Sequence, residues 1–130
     1  MEKIKWSTEY NIGLEPIDTQ HQKLVEILNN LNEVKREKDM ESLIRIFHDL
    51  ICYSRIHFFD EEEIMKKINY PKYVEHKEEH KFFIDKLEEI NKEIYEKNVY
   101  ISLSMRIFLK DWLINHILKT DREIIPYINK

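Results

Sequence analysis

Apolar side chains recur every three to four residues along most of this chain, which is the period of an amphipathic α-helix. The pattern predicts four such helices, separated by short polar or proline-containing segments. Their predicted bounds are Asp18 or Thr19 to the charged run 35–39, then 40–67, 71–97, and a stretch from after Asn98-Val99 to about Lys119. Four amphipathic helices with short connections predict an all-α, up-down-up-down antiparallel four-helix bundle.

Both ends of the chain depart from the helical period. Gly13 and Pro16 interrupt helix near the start, so residues 1–17 are expected to form an extended N-terminal arm. A short tail around Ile124–Tyr127 is expected to pack back on the bundle. The chain has no sequence repeat, low-complexity segment or break in composition, and its length is typical of one domain. Residues 1–130 are therefore expected to form a single domain.

Composition narrows the classes of function. A single glycine among 130 residues disfavours phosphate-cradling loops and all-β folds. A formal net charge of -4 gives no general attraction to nucleic acid, so no such partner is expected. The N-terminus is charged, so a signal peptide is not expected. The sequence has no run of about 18 apolar residues, so a membrane-spanning helix is not expected. The single cysteine, Cys52, is consistent with a reducing compartment, and a cytoplasmic location is expected.

Histidine recurs on the apolar stripe of every predicted helix, and this is the feature that carries chemistry. The five positions are His21, His57, His76, His80 and His116. A lone histidine among apolar residues is more often a hydrogen-bonded core residue than a ligand. Five converging imidazoles, however, would lack partners when neutral and repel one another when protonated in a core of low dielectric constant. A bound metal removes both difficulties.

The spacing of these residues suits metal ligands on helices. Two pairs lie four residues apart and so share a helix face: His57 with Glu61, and His76 with His80. His116 and Asp121 lie five residues apart, which places them about 140° from each other on a regular α-helix. For both to reach one site, the fourth helix must end or distort between them. A break is predicted near Lys119-Thr120.

The number of ligands favours two metal ions. Five imidazoles and two carboxylates are too many for one tetrahedral zinc. They suit two ions that share bridging carboxylates, and the mixture of donors favours iron, with zinc, manganese or copper also possible. Glu61 and Asp121 neutralise part of the charge of two divalent ions, and a bridging oxide or hydroxide could neutralise more.

On these residues the chain resembles the hemerythrins, in particular the single-domain prokaryotic ones. The matching segments are His21-Gln22-Lys23-Leu24, His57-Phe58-Phe59-Asp60-Glu61 with Met65, His76-Lys77-Glu78-Glu79-His80, and Trp112-Leu113-Ile114-Asn115-His116 continuing to Asp121. Gly13-Leu14-Glu15-Pro16-Ile17-Asp18 and Tyr70-Pro71 also resemble the family. The resemblance covers nearly the whole chain and implies that residues 1–130 form one hemerythrin-like domain.

The resemblance implies a role for each ligand in a di-iron centre. His76, His80 and His116 would bind one iron, and His21 and His57 the other. Glu61 and Asp121 would bridge both irons, together with an oxo or hydroxo group. The iron with two histidines would keep an open position for reversible dioxygen binding, in oxygen storage, transport, delivery or sensing. An enzyme is not expected. The alternatives are a di-iron peroxidase, nitric-oxide or peroxide detoxification, and iron handling or a non-redox metal or interaction module, for example a zinc-loaded or iron-storing one.

The remaining residues of interest receive structural expectations. Four apolar side chains are expected to line the oxygen pocket: Leu24, Phe58, Trp112 and Leu113. His48 lies nine residues before His57, about 180° around the helix, and is expected at the surface. Glu62 and Glu63 are expected to be solvated, as is Lys119, whereas Cys52 is expected to be a small buried residue.

Overall fold

The computed structural model describes residues 4–33, 40–97 and 101–128, and within these ranges the regular structure is helical. The elements in chain order are a 3₁₀ turn Thr8–Tyr10, α1 Glu15–Glu33, α2 Met40–Lys67, α3 Tyr73–Lys97, α4 Leu103–Asn115, a π turn His116–Thr120, a 3₁₀ turn Asp121–Ile124 and α5 Ile125–Ile128. The predicted four-helix bundle is confirmed. The predictions for the charged run 35–39 and the junction Asn98-Val99 lie outside the described residues.

The core lies between the four long helices. Helix α2 packs against both α1 and α3, and α1 also contacts α4. The largest fully buried side chains are those of Phe47 on α2 and Phe83 on α3, and leucines from all four helices surround them. Burying one such side chain contributes roughly 1.5–3 kcal/mol, so these apolar stripes hold the helices at fixed distances around the bundle axis.

The first helix begins earlier than the sequence predicted. It starts at Glu15, so Pro16 lies in its first turn, where a missing backbone N–H costs nothing and the fixed φ of proline suits helix. Asp18 is not the N-cap. Its carboxylate instead accepts the backbone N–H of Ile12 at 2.7 Å and of Gly13 at 3.2 Å. The prediction that helix starts at residue 18 or 19 was wrong because Asp18 holds the arm rather than the helix end.

The N-terminal arm is held on the bundle by one buried amide. The Asn29 side chain on α1 accepts the backbone N–H of Ile4 at 2.8 Å and donates to the Ile4 carbonyl at 2.9 Å. Further along, Arg122 donates to the backbone carbonyl of Glu9 at 2.6 Å. The arm is extended apart from its 3₁₀ turn, and it places Ile4 in the core and packs Trp6 and Tyr10 against that core.

A left-handed residue ends α2. Asn69 has φ of 54° and donates its backbone N–H to the Lys66 carbonyl, while the N–H of Tyr70 reaches the Met65 carbonyl at 2.9 Å. This is a Schellman motif, and Tyr70 and Met65 make its apolar contact together with buried Ile124 from the C-terminal tail. The tail therefore packs back on the bundle, as predicted. Helix α3 begins at Tyr73, two residues after its predicted start.

The outer face of α2 corrects one prediction and confirms another. His48 is exposed, as expected, but Cys52 is exposed as well. The two residues lie one turn apart on the same face, and the Cys52 Sγ atom is 3.6 Å from His48 Nε2. Cys52 shares the outward direction of His48 because residues four apart on a helix share a face.

Within the described ranges, the helices lack an apolar stretch long enough to cross a bilayer.

Candidate metal centre

Seven polar side chains meet inside the bundle, and all are buried. Helix α1 supplies one, α2 two, α3 two, and the π turn with the residue that follows it supplies two. They are His21, His57, Glu61, His76, His80, His116 and Asp121. These are the residues that the sequence pattern singled out, and the structure brings them within contact of one another.

The two carboxylates divide their oxygens between two groups of histidines. Glu61 Oε1 lies 2.8 Å from His76 Nε2 and 3.0 Å from His80 Nε2. Asp121 Oδ1 lies 2.9 Å from His76 Nε2 and 3.1 Å from His116 Nε2. These three histidines and two carboxylates form one cluster of donor atoms.

The second oxygens face the other two histidines. Asp121 Oδ2 lies 2.9 Å from His21 Nε2, and Glu61 Oε2 lies 3.5 Å from the Nε2 atoms of both His21 and His57. The donor atoms thus form two groups that share Glu61 and Asp121, and within each group they all lie within 4.8 Å of one another.

The π turn brings His116 and Asp121 together. The backbone N–H of Asp121 donates to the carbonyl of His116, which closes a five-residue turn instead of a four-residue one. A π turn fits one more residue into each turn than an α-helix, so residues five apart come to share a face. The sequence predicted a distortion between the two residues, and the structure shows that it is a widened turn rather than a break near Lys119-Thr120. Lys119 is exposed, as expected.

The histidines and carboxylates of the cluster shift one another's pKa values. Burial lowers the pKa of His21, but the Asp121 and Glu61 carboxylates outweigh it and raise that pKa to about 9. The same balance raises the pKa of His76 to about 10 and that of His116 to about 9. Burial raises the pKa of both carboxyl groups, yet the surrounding histidines hold both below their ordinary values. For His57, burial prevails and the pKa is lowered.

Several buried polar atoms of this cluster lack a hydrogen-bond partner among the described residues. Both ring nitrogens of His21 and His76, and all four carboxylate oxygens of Glu61 and Asp121, are buried without a well-aligned hydrogen bond from the described parts of the chain. A buried polar atom without a partner costs about 1–3 kcal/mol, so eight of them in one place require a common explanation. Two donor atoms each about 2.1 Å from one ion, and at right angles around it, are about 3 Å apart. The observed spacings therefore fit bound cations.

Residues that sequence reasoning missed surround the cluster. The outer Nδ1 atom of His57 lies 2.7 Å from Gln20 Oε1, and Gln20 in turn donates to Asp60 at 2.8 Å. The outer Nδ1 atom of His80 lies 2.7 Å from a carboxylate oxygen of Glu62. Glu62 was expected to be solvated. That expectation was wrong, because the Glu62 carboxylate contacts the His80 ring on α3 and therefore points towards the bundle.

A second carboxylate approaches the cluster from α3. Glu79 Oε1 lies 3.5 Å from His116 Nδ1, and it also accepts the Thr120 hydroxyl at 3.2 Å. The His116 imidazole lowers the pKa of the Glu79 carboxyl. Sequence pattern gave no sign of these partners because each one comes from a different helix from the histidine that it contacts.

Aromatic rings cover the three-histidine group. Phe58 stacks on His80 with ring centroids 3.9 Å apart, and Trp112 stacks on His116 at 4.6 Å. Leu24 and Leu113 are buried in the adjoining core, one turn along their helices from His21 and His116. These four side chains are the predicted pocket residues, and all of them lie in or against the apolar core.

A four-helix bundle that buries five imidazoles around two shared carboxylates belongs to the class of metal-binding helical bundles. Comparison with known proteins specifies it further. The family model described as Hemerythrin HHE cation binding domain matches residues 12–128. The bacteriohemerythrin of Clostridium acetobutylicum is 37% identical over 126 residues, which cover 92% of this chain and 97% of that protein.

More distant relatives agree. The myohemerythrin of Theromyzon tessulatum is 28% identical over 121 residues, covering 92% of this chain and 89% of that protein. A crystal structure of wild-type hemerythrin superposes with a TM-score of 0.91 at 25% identity, covering 99% of this chain and 100% of that one. This chain belongs to the hemerythrin family.

Proposed function

We propose that this chain binds dioxygen reversibly at a non-haem di-iron centre. One observation carries the proposal: each of the two carboxylates turns one oxygen towards the three-histidine group and the other oxygen towards the two-histidine group. A carboxylate placed in this way can bridge two ions, and mixed imidazole and carboxylate donors suit iron. Membership of a family whose model is described as a cation binding domain supports a bound metal at this site.

The proposed assignment follows the two groups of donor atoms. One iron would be held by His76, His80 and His116, and the other by His21 and His57. Glu61 and Asp121 would bridge both, together with an oxo or hydroxo group.

This assignment leaves the two irons with different numbers of protein ligands. The three-histidine group offers five and the two-histidine group four. With one shared bridging group, the second iron would keep an open position for a small ligand. The iron pair would supply the electrons that hold dioxygen and recover them on release.

The side chains around the centre favour binding over turnover. Phe58 stacks on His80 and also lies against His57 of the two-histidine group, with ring centroids 5.6 Å apart, while Trp112 stacks on His116. Leu24 lies one turn from His21 of the two-histidine group, and Leu113 extends the apolar surface along α4. We propose that these four residues line the oxygen pocket and exclude water and larger substrates. Histidine outnumbers carboxylate among the ligands, so less negative charge is donated to iron than in carboxylate-rich bundle enzymes. Lower donation disfavours strongly oxidising states.

The proposal extends to the whole chain. Residues 1–130 would act as one domain, in the cytoplasm, where the exposed thiol of Cys52 stays reduced. Reversible binding would serve oxygen storage, transport, delivery or sensing.

An absorption spectrum with metal quantification tests the proposal. Protein reduced without air should contain about two irons per chain, in line with the two donor groups, and be colourless. Oxygen should produce colour that disappears when oxygen is removed. Irreversible oxidation, or sustained turnover of peroxide or nitric oxide with an electron donor, would support the enzyme alternative instead. Zinc, or iron without oxygen binding, would support metal handling.

A further inference from the structure

Two of the histidines at this centre are held from outside at equal distance by groups of different charge. His57 Nδ1 lies 2.7 Å from the amide oxygen of Gln20. His80 Nδ1 lies 2.7 Å from a carboxylate oxygen of Glu62. The two histidines belong to different donor groups, His57 to the two-histidine group and His80 to the three-histidine group.

The orientation of the Gln20 amide is determined by Asp60. Gln20 Nε2 lies 2.8 Å from Asp60 Oδ2, and an ionised carboxylate can only accept. The amide nitrogen of Gln20 must therefore face Asp60, and its oxygen must face His57. His57 consequently donates from Nδ1 and keeps the lone pair of Nε2 for the centre, with a neutral group as its partner.

Glu62 imposes the same tautomer on His80, but with a full charge. Its carboxylate can only accept, so His80 donates from Nδ1 and directs Nε2 towards Glu61 Oε1, 3.0 Å away. The side chain of Glu62 is 16% exposed, and Phe58 stacks on the other side of the His80 ring. Solvent therefore screens this hydrogen bond little, although Glu62 borders an open groove of about 670 Å³ between α2 and α3.

We propose that Glu62 is a positioning residue. It fixes the Nδ1–H tautomer of His80 and, through that hydrogen bond, makes the three-histidine end of the centre the stronger electron donor, whereas Gln20 holds the two-histidine end with a neutral acceptor. A carboxylate partner raises the basicity of a ligating imidazole. The inference rests on the proposed function, because it takes both groups to be metal sites. Glu79, at 3.5 Å from His116, adds a weaker contact of the same sign to the same end.

The main test removes the charge and keeps the shape. Glu62→Gln retains an oxygen that can accept from His80. Glu63→Gln is the matched control, because Glu63 is the next residue, is exposed and pairs with Lys66 one turn along the same helix. Cobalt(II) affinity of the protein stripped of metal, and the midpoint potential of the iron-loaded protein, are measured in both. Glu62→Gln should weaken cobalt binding about 10–100-fold and raise the potential, while Glu63→Gln changes neither.

Two further variants separate tautomer from charge. Glu62→Leu removes the acceptor, so ¹⁵N NMR of the His80 ring should show loss of the Nδ1–H tautomer, which Glu62→Gln retains. Gln20→Glu places a charge at the other end and should lower the potential, the opposite direction to Glu62→Gln.

The outcomes distinguish the two proposals. Equal effects of Glu62→Gln and Glu63→Gln on cobalt affinity and potential would overturn the positioning role, even if oxygen binds reversibly. The expected cobalt and NMR results in a protein that never binds oxygen reversibly would overturn the proposed function alone. If the wild-type protein bound no cobalt, both would fail.

Discussion

Asp121 donates its backbone N–H to the carbonyl of His116, and their side chains meet with Nε2 and Oδ1 only 3.1 Å apart. The π turn between them serves both groups of histidines, because Asp121 Oδ2 also approaches His21 on the opposite side of the centre. Inserted turns of this kind occur often at functional sites in helices. Here the turn lets the last helix supply two donors where a regular helix would supply one.

Asp121→Asn tests the shared role of this carboxylate. The amide keeps the size of the side chain but removes the charge that faces both donor groups. Bound iron should fall from about two per chain to one or fewer, because each ion loses a ligand and metal binding needs the deprotonated group. Iron quantification after reconstitution measures the result. Asp111→Asn, an exposed position on α4, is the control and should retain full loading. Full loading of Asp121→Asn would contradict a bridging role.

Protein stripped of metal should lose stability as the pH rises from about 6.5 to about 10. His21, His76 and His116 have folded-state pKa values of about 9, 10 and 9, above the ordinary value of 6.5. The folded state therefore binds more protons than the unfolded state over this range, and the slope of stability with pH is negative. The lowered pKa of His57 has the opposite effect on stability, but only below about pH 6.5, so it does not counteract the other three over this range.

At acidic pH, the stability of the protein stripped of metal depends on its two buried carboxyl groups. Glu61 and Asp121 have lowered pKa values, so their contribution is present above about pH 4.5 and is lost as the pH falls further. The metal-loaded protein should behave differently at high pH, because metal needs neutral imidazoles and binds more tightly as protons leave. The difference in Tm between loaded and chelator-treated protein should thus widen between pH 6.5 and pH 9. A constant difference would contradict a metal-organised core.

Leu24→Ala tests the proposed oxygen pocket. Leu24 is fully buried one turn from His21, and Leu43 on α2 is equally buried and far along its helix from His57. Each alanine variant should lose about 2–5 kcal/mol of stability, because both leave a cavity in the core. Only Leu24→Ala should change the rate at which azide reaches the iron-loaded centre. Stopped-flow absorbance measures that rate, and equal rates in the two variants would remove Leu24 from the pocket.

Asn29→Ala should release the N-terminal arm. The amide makes both hydrogen bonds to the backbone of Ile4, and its loss leaves two buried backbone groups without partners. The expected cost is about 1–3 kcal/mol. Hydrogen exchange should quicken in residues 4–13 and remain slow in α2 and α3. Asn30→Ala, at the exposed neighbouring position, should change neither quantity, and unchanged exchange in Asn29→Ala would show that the arm is held by other contacts.

The sequence predicted the arrangement of the helices better than it predicted their ends and the exposure of single residues. The helical period was sufficient for the four-helix bundle, since an apolar stripe has only one face to bury. The helical period did not predict the start of α1 correctly. Asp18 could either cap a helix or bind the arm, and only the packing of the arm in the folded protein decides between the two. The exposure of Cys52 follows from its spacing to His48, but its apolar character outweighed that spacing in the prediction.

The sequence by itself determined which seven donors could meet, because histidine and carboxylate at helical spacing on an apolar stripe must point into the bundle. It also determined that the helix had to distort between His116 and Asp121, because five residues do not fit one face of an α-helix. Only the tertiary structure decided the form of that distortion, the division of carboxylate oxygens between two groups, and the pairing of Gln20 and Glu62 with histidines. Each of these depends on the distance between side chains of different helices, which packing of the whole core sets and no local pattern encodes.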